Sequence, residues 1–576
     1  MQKDPAEIQL QPTKKEFEGS YTFVTFPYGK ETQKSPEIVG RMIGENVKAN
    51  TQLISDYNIV KGFLNFVIAD KTWIQTFNDI YSSPDFGSFP KKDQTVMVEY
   101  SSPNTNKPLH LGHLRNIFLG YSVANILAKY GYNVIKANLI NDRGIHICKS
   151  MLAYQKYGNG ETPASSGMKG DHLIGKYYVL FDKEYKKEIE ELIKKGLDEE
   201  TAKKQAPSII EAQEMLQKWE KGDKETVDLW KKMNGWVYEG FEQTYKMIGV
   251  DFDKFYYESN TYLLGKDIVD EGLKKGVFFK KEDGSAWVDL TPDGLDQKLV
   301  QRGDGTSVYI TQDLGTADLK FKDFNVNKSI YVIGNEQDYH MAVLFLILKK
   351  LGRKYADGMY HLSYGMVDLP SGRMKSREGT VVDADDMVQE MLDTAESRTK
   401  ELGKIEDFDS QEAKDLYKML GLGALKYFLL KVDPKKRMVF NPEESIDFQG
   451  NTGPFIQYTH ARICAIIRRA NELGIMYESD NFSKLNSLQP AEKEVIYFLS
   501  LFPEKIKTAA EEYSPSIVAQ YIFDLAKEYN KFYAEVSIFN EKDPETLSFR
   551  IAFSAQVAQT IKAGMELLGI QVPERM

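Results

Sequence analysis

The stretch Ser101-Ser102-Pro103-Asn104-Thr105-Asn106-Lys107-Pro108-Leu109-His110-Leu111-Gly112-His113 decides the fold of this chain. Before it, residues 95–100 (TVMVEY) read as a short buried strand. After it, residues 114–129 carry the spacing of an amphipathic helix that Gly131 stops. Two histidines and a glycine therefore stand at the N-terminal mouth of a helix that follows a strand. Backbone N–H groups and the helix dipole favour a phosphate there. His110 and His113 face the same way, Gly112 lets a flat base approach the backbone, and Lys107 adds a point charge. Taken alone, a His-x-x-His on a helix is more often a packed or solvated pair. A metal site stays open as well, but two cysteines in the chain and no third ligand nearby argue against a zinc cage. Strand, Pro-Asn turn, lysine and helix in that order favour the phosphate.

Working outward, 576 residues imply several domains, and 42% apolar with 27% charged residues is ordinary for globular chains. No apolar run approaches the ~20 residues of a membrane span. The N-terminal MQKDPAEIQL lacks the apolar core of a secretory signal, so a cytoplasmic protein with no membrane partner is expected. A net charge of −10 argues against a general nucleic-acid coat but not against local basic patches. Residues 1–82 mix strand-like alternation with a helix near 35–50 and are expected to form an α+β domain. Residues 82–92 (SSPDFGSFPKK) read as a linker. Strand and helix alternate from residue 93, which predicts an α/β domain with a Rossmann-like parallel sheet over 93–386. A helical insertion is expected over about 151–300. Its charge-alternating tract 182–205 reads as a solvated helix with Tyr185, Ile189 and Leu192 as its seam. Helical periodicity dominates 387–576 and predicts an all-α C-terminal domain.

His110-Leu111-Gly112-His113 resembles the H-x-G-H motif of class I aminoacyl-tRNA synthetases. The longer run from Ser101 to Arg115 resembles arginyl-tRNA synthetases in particular. The resemblance implies adenylation of an amino acid, with ATP as substrate and Mg2+ beside it. The attacking carboxylate is already ionised, so catalysis should rest on positioning and on donors aimed at developing charge. Lys107, His110, Gly112 and His113 are the expected catalytic residues, with Asn116 and His340 also near ATP; a core histidine is the other reading of His340. The loop Arg373-Met374-Lys375-Ser376-Arg377 stands where the family has K-M-S-K-S, as a second phosphate element. By itself such a loop is a solvated turn. Ser376 replaces the family's second lysine, and Lys107 sits where a lysine is thought to stand in for it. No metal-ligating protein residue is expected.

Tyr309 and Asp313 share one face if helical. Spacing alone fits a capping Asp beside a core Tyr equally well. The resemblance implies that this pair holds a guanidinium, which needs a planar acceptor. Glu99, Asn104 and Gln337 match substrate positions, with Glu99 and Asn104 placed by their chemistry at the α-ammonium end. Residues 447–454 and the terminal LGIQVPERM resemble the family's helical anticodon-binding domain. Tyr458, Arg462 and Arg468 are the expected RNA contacts there, although an ordinary amphipathic helix end fits the same residues. The first 80 or so residues resemble a domain that grips the tRNA elbow, with Phe63 and Asn65 as base contacts; Phe63 alone reads equally as core. Together these imply a monomeric ligase that joins arginine to the terminal adenosine of tRNA(Arg), and that needs tRNA bound before activation. Two rival readings stay open. A small-molecule adenylyltransferase would not need the C-terminal helices or the Tyr309/Asp313 pair. A silent RNA-binding relative would not need an intact Lys107, His110, Gly112, His113 and Asp313.

Overall fold

The computed structural model describes residues 8–14, 16–370, 382–401, 408–478 and 481–576. Five parallel strands form the central sheet, in the order Met359–Tyr364, Lys328–Gly334, Thr95–Glu99, Asn133–Ile140, Lys254–Tyr257. Thr95–Glu99 lies in the middle and is apolar on both faces, with Val96, Met97 and Val98 fully buried, as a strand covered by helices on either side must be. Its two neighbours are reached by connections running in opposite directions. That strand order opens a crevice at the carboxyl ends of Thr95–Glu99 and Lys328–Gly334, where sheets of this kind take ligands.

The helix Leu111–Lys129 closes the first crossover, and Gly131 follows it with φ 97. The spacing predicts one apolar stripe. Instead, Leu114, Arg115, Asn116, Ile117 and Phe118 are all buried, so the helix is enclosed on nearly every side. The C-terminal helices Ser410–Leu430, Phe502–Glu512, Pro515–Glu535 and Pro544–Leu567 pack over its outer face. The buried guanidinium of Arg115 donates to the carbonyls of Pro434 and Lys436 at 3.1 and 2.8 Å, tying this helix to the chain that leads into the C-terminal domain.

Between Asn133–Ile140 and the edge strand Lys254–Tyr257 run helices that include Ile145–Tyr157, Gly170–Lys194, Pro207–Glu220 and Lys224–Ile248. The tract expected to be helical to about residue 300 is not so throughout. Lys254–Tyr257 rejoins the parallel sheet, and Phe278–Lys280, Ala286–Val288 and Lys298–Gln301 make a small antiparallel sheet. The Asp283-Gly284 turn, with Gly284 at φ 81, closes its first hairpin. At the N-terminus, Leu10–Pro12, Tyr21–Val24, Phe63–Ile68 and Ile54–Val60 form an antiparallel sheet, with the helix Pro36–Asn50 packed on its last two strands. No described helix is long and apolar enough to cross a membrane.

Candidate active site

The chain leaves Thr95–Glu99 through two consecutive left-handed residues, Ser101 (φ 72) and Ser102 (φ 42). Each costs roughly 1–3 kcal/mol unless the surroundings hold it. The Ser101 N–H donates to Asn116 Oδ1 at 2.6 Å, and the Ser102 N–H donates to Asn138 Oδ1 at 3.1 Å. Asn116 Nδ2 in turn donates to the Val332 carbonyl at 2.6 Å. Asn116, expected beside ATP, is thus buried with both ends of its amide engaged. It sets the turn that aims Pro103–His113.

His110 is the N-cap of the helix Leu111–Lys129, and the rings of His110 and His113 lie 3.8 Å apart. The backbone N–H of His110 donates to Nδ1 of His113 at 3.1 Å. An Nδ1 that accepts leaves the proton of a neutral ring on Nε2, free to donate. Burial, then the neighbouring His110 and Lys107, hold His113 well below the usual imidazole range. Burial and Lys107 lower His110 to about 3. Both rings are therefore neutral donors at physiological pH. Nδ1 of His110 is buried with no hydrogen-bond partner among the described residues, an orphan a ligand could satisfy. A Cβ on Gly112 would stand 3.0 Å from Cε1 and 3.1 Å from Nδ1 of His110, so the glycine also keeps that ring in place. Lys107 is half-buried, and burial lowers its ammonium pKa.

The loop carrying Arg373, Met374, Lys375, Ser376 and Arg377 lies outside the described residues. The chain on its C-terminal side returns directly to the first motif. The Leu111 N–H donates to the Val382 carbonyl at 3.1 Å, and the Ala384 N–H to the Leu109 carbonyl at 2.9 Å. His110 and Asp383 thereby face each other in an antiparallel bridge.

Across the crevice, Tyr309 and Asp313 lie one turn apart on the helix Tyr309–Phe324, with Tyr309 75% exposed at its first residue. Asp313 Oδ2 is 2.6 Å from Nε2 of His340, whose pKa that contact raises. His340, expected near adenosine, therefore stands against Asp313. A second carboxylate joins it: burial, with Asp313 beside it, pushes Glu258 up to about 7. Ser259, next along, gives its N–H and hydroxyl to the buried Asp142, which fixes where Glu258 sits. Sequence reasoning missed Glu258. Its segment, Tyr257-Glu258-Ser259-Asn260, has no periodicity, and Asp313 reaches it only through the fold. Gln337 and Asn104 are exposed at the carboxyl ends of their strands. Glu99 is different. Its carboxylate meets Nζ of Lys320 at 2.5 Å, and the two side chains are 6% and 2% exposed. Expected at the α-ammonium end, Glu99 is here buried against an ammonium of the chain's own.

The profile described as "tRNA synthetases class I (R), catalytic domain" matches residues 82–441, and the "DALR anticodon binding domain" matches residues 456–576. This chain belongs to the class I (R) tRNA synthetases. "Arginine--tRNA ligase" of Amoebophilus asiaticus is 58% identical over 575 residues, covering 99% of this chain and 96% of that one. The protein of the same name in Bacteroides thetaiotaomicron is 57% identical over 571 residues, with the same coverage. Among solved structures, Thermus thermophilus arginyl-tRNA synthetase shares the fold of this synthetase, with a TM-score of 0.79 at 24% identity over 99% of this chain and 96% of that one. The Plasmodium falciparum arginyl-tRNA synthetase gives 0.74 at 19% identity, over 99% and 95%.

At the ends of the synthetase, the expected RNA contacts separate. Arg462 lies over the rings of Tyr458 and Tyr533, 4.8 and 5.3 Å from their centroids, and donates to Asn530 Oδ1 at 2.6 Å. Arg468 is exposed and donates to the Glu574 carbonyl at 2.9 Å, which pins the C-terminal residues to the helix Gly453–Glu472. Phe63 is half-buried edge-on against Phe26. Asn65 is fully buried, accepting from Thr22 at 2.6 Å and donating to Asn58 at 2.8 Å. Its register partners on both flanking strands engage its amide, which braces the sheet.

Proposed function

We propose that this chain is an arginine–tRNA ligase acting in the cytoplasm as a monomer. The observation that carries the reading is the first motif itself: the rings of His110 and His113 lie 3.8 Å apart at the start of the helix Leu111–Lys129, with the Nε2 proton of His113 left to donate. Burial, and then the charge of Asp313, pushes Glu258 upward; a guanidinium received there would favour its ionised form, and its planar fork suits carboxylate acceptors. With the side chain held there, the arginine carboxylate points toward the helix mouth. One of its oxygens attacks the α-phosphorus of ATP, the bond to the bridging oxygen breaks, and pyrophosphate leaves. His110, His113 and Lys107 stabilise the charge on the phosphates. Magnesium bound to the triphosphate would neutralise part of that charge. The 2′-hydroxyl of the terminal adenosine of tRNA(Arg) then attacks the acyl carbon and AMP departs. The Tyr458–Arg462–Tyr533 stack suits unstacked RNA bases, and exposed Arg468 suits a backbone phosphate.

Charging of bulk tRNA with each labelled amino acid in turn tests this reading. Arginine alone should be incorporated. Incorporation of a different amino acid, or of none, would overturn it.

A further inference from the structure

The helical insertion touches the phosphate end of the site at two places. Gly175, on the helix Gly170–Lys194, packs so closely on Pro108 that a Cβ there would stand 2.8 Å from Pro108 Cδ, next to Lys107. One turn earlier, Nε2 of His172 meets Oδ2 of Asp383 at 2.8 Å. Asp383 is the residue bridged to His110. Its other oxygen accepts the N–H groups of Asp385 and Asp386, at 2.8 and 3.2 Å, and so opens the helix Ala384–Glu401. The same carboxylate thus faces three ways: to the insertion, to the first motif through its own backbone, and to the helix that follows the second motif.

The helix bearing His172 is itself anchored. Lys169 donates to Asp385 Oδ2 and to Thr244 Oγ1, both at 2.5 Å, and lies 3.2 Å from the buried Asp171. Donor atoms of His172, Asp383 and Asp385 all fall within 4.8 Å of one another, a spacing that could admit a cation. The Lys169 ammonium already supplies the positive charge beside them, so the cluster is matched from within the chain.

We propose that the His172–Asp383 pair positions His110, and with it the triphosphate, for attack. The insertion then serves as the fixed wall against which the first motif is set. His172 does not touch substrate; it acts through Asp383 and the backbone bridge. A displacement of a reacting group by a fraction of an ångström costs rate and not side-chain recognition, because the guanidinium acceptors lie on other elements. This inference rests on the reading of His110 as a phosphate donor given above.

The test is steady-state aminoacylation with His172→Ala, His172→Gln and Asp383→Asn in the full chain, with arginine binding and thermal melting measured on each. His172→Ala should lower kcat about tenfold or more, with the arginine Kd and melting temperature close to those of the parent. His172→Gln carries an N–H near the place of Nε2 and should recover most of the loss. His172→Ala and Asp383→Asn combined should cost no more than either alone. An unchanged kcat in His172→Ala, or no recovery in His172→Gln, overturns the proposal. So does a loss that tracks melting temperature, or one cured by excess magnesium, which would make the cluster a cation site. A parent protein that charges no arginine would sink the functional reading instead, so the two failures are separable.

Discussion

His113 has two separable jobs, and two substitutions separate them. Nδ1 accepts the backbone N–H of His110 at 3.1 Å, while the proton on Nε2 is left for a phosphate. Asparagine can place its side-chain oxygen near Nδ1 but has nothing at Nε2. Glutamine can place an N–H near Nε2 but offers no acceptor at Nδ1. His113→Asn should therefore keep the helix start intact and lose the donor. By comparison with other preorganised donors to a developing oxyanion, that loss is ~2.7–4 kcal/mol, or about 10²–10³ in kcat. His113→Gln should keep more of the rate and instead orphan the His110 N–H inside the protein, at about 1–3 kcal/mol of stability. Single-turnover formation of arginyl-adenylate, with tRNA bound, reads the first effect and denaturant midpoint the second. Wild-type kcat in His113→Asn would refute the donor role. Equal melting and equal rate loss in both variants would refute the division of labour.

Other outcomes follow from the same geometry. Contact with Asp313 raises the pKa of His340, so the protonated ring competes with arginine for that carboxylate. Glu258, at about 7, must also lose a proton to receive a cation. Both signs agree: the arginine KM should fall as pH rises through neutrality, and a pH-independent KM would contradict the arrangement. The His340–Asp313 contribution to stability runs the other way, being complete below the ordinary imidazole pKa and fading as pH rises through the raised one. Gly112→Ala would press a methyl group on the His110 ring, at 3.0 Å from Cε1. It should slow kcat by up to about tenfold with arginine affinity unchanged, as read by paired kinetics and calorimetry. Citrulline should be rejected by about 10⁴ or more, because a neutral urea leaves the carboxylates without their cation. Asp313→Asn should erode that ratio by weakening arginine, as measured by competition charging.

The first motif was legible because its signals are local. A dense apolar run marks the strand, a Pro-Asn turn and paired imidazoles mark the helix mouth, and Gly131 marks the helix end. The shared helix face of Tyr309 and Asp313 was legible locally as well, since one helical turn brings them together, but a role for the pair came only from the resemblance. What local signals do not carry is long-range partnership. Glu99 is an acid at the end of a strand, and nothing near it in the chain announces Lys320, which pairs with it from the helix Tyr309–Phe324. Asn65 sits in an alternating strand, but the strands of Thr22 and Asn58 flank it on both sides and consume its amide. Asn116 and His340 were likewise placed near ATP by order along the chain, and their partners Ser101, Val332 and Asp313 come from other elements. The burial of the first-motif helix on all sides depended on C-terminal helices that its own spacing does not encode.

The central claim is that Asp313 and Glu258 together receive the forked cation of arginine. A crystal structure with arginine bound tests it most directly. The guanidinium should lie between these two carboxylates, with His340 moved off Oδ2 of Asp313. Arginine bound elsewhere while the His340–Asp313 contact stays closed would contradict the account.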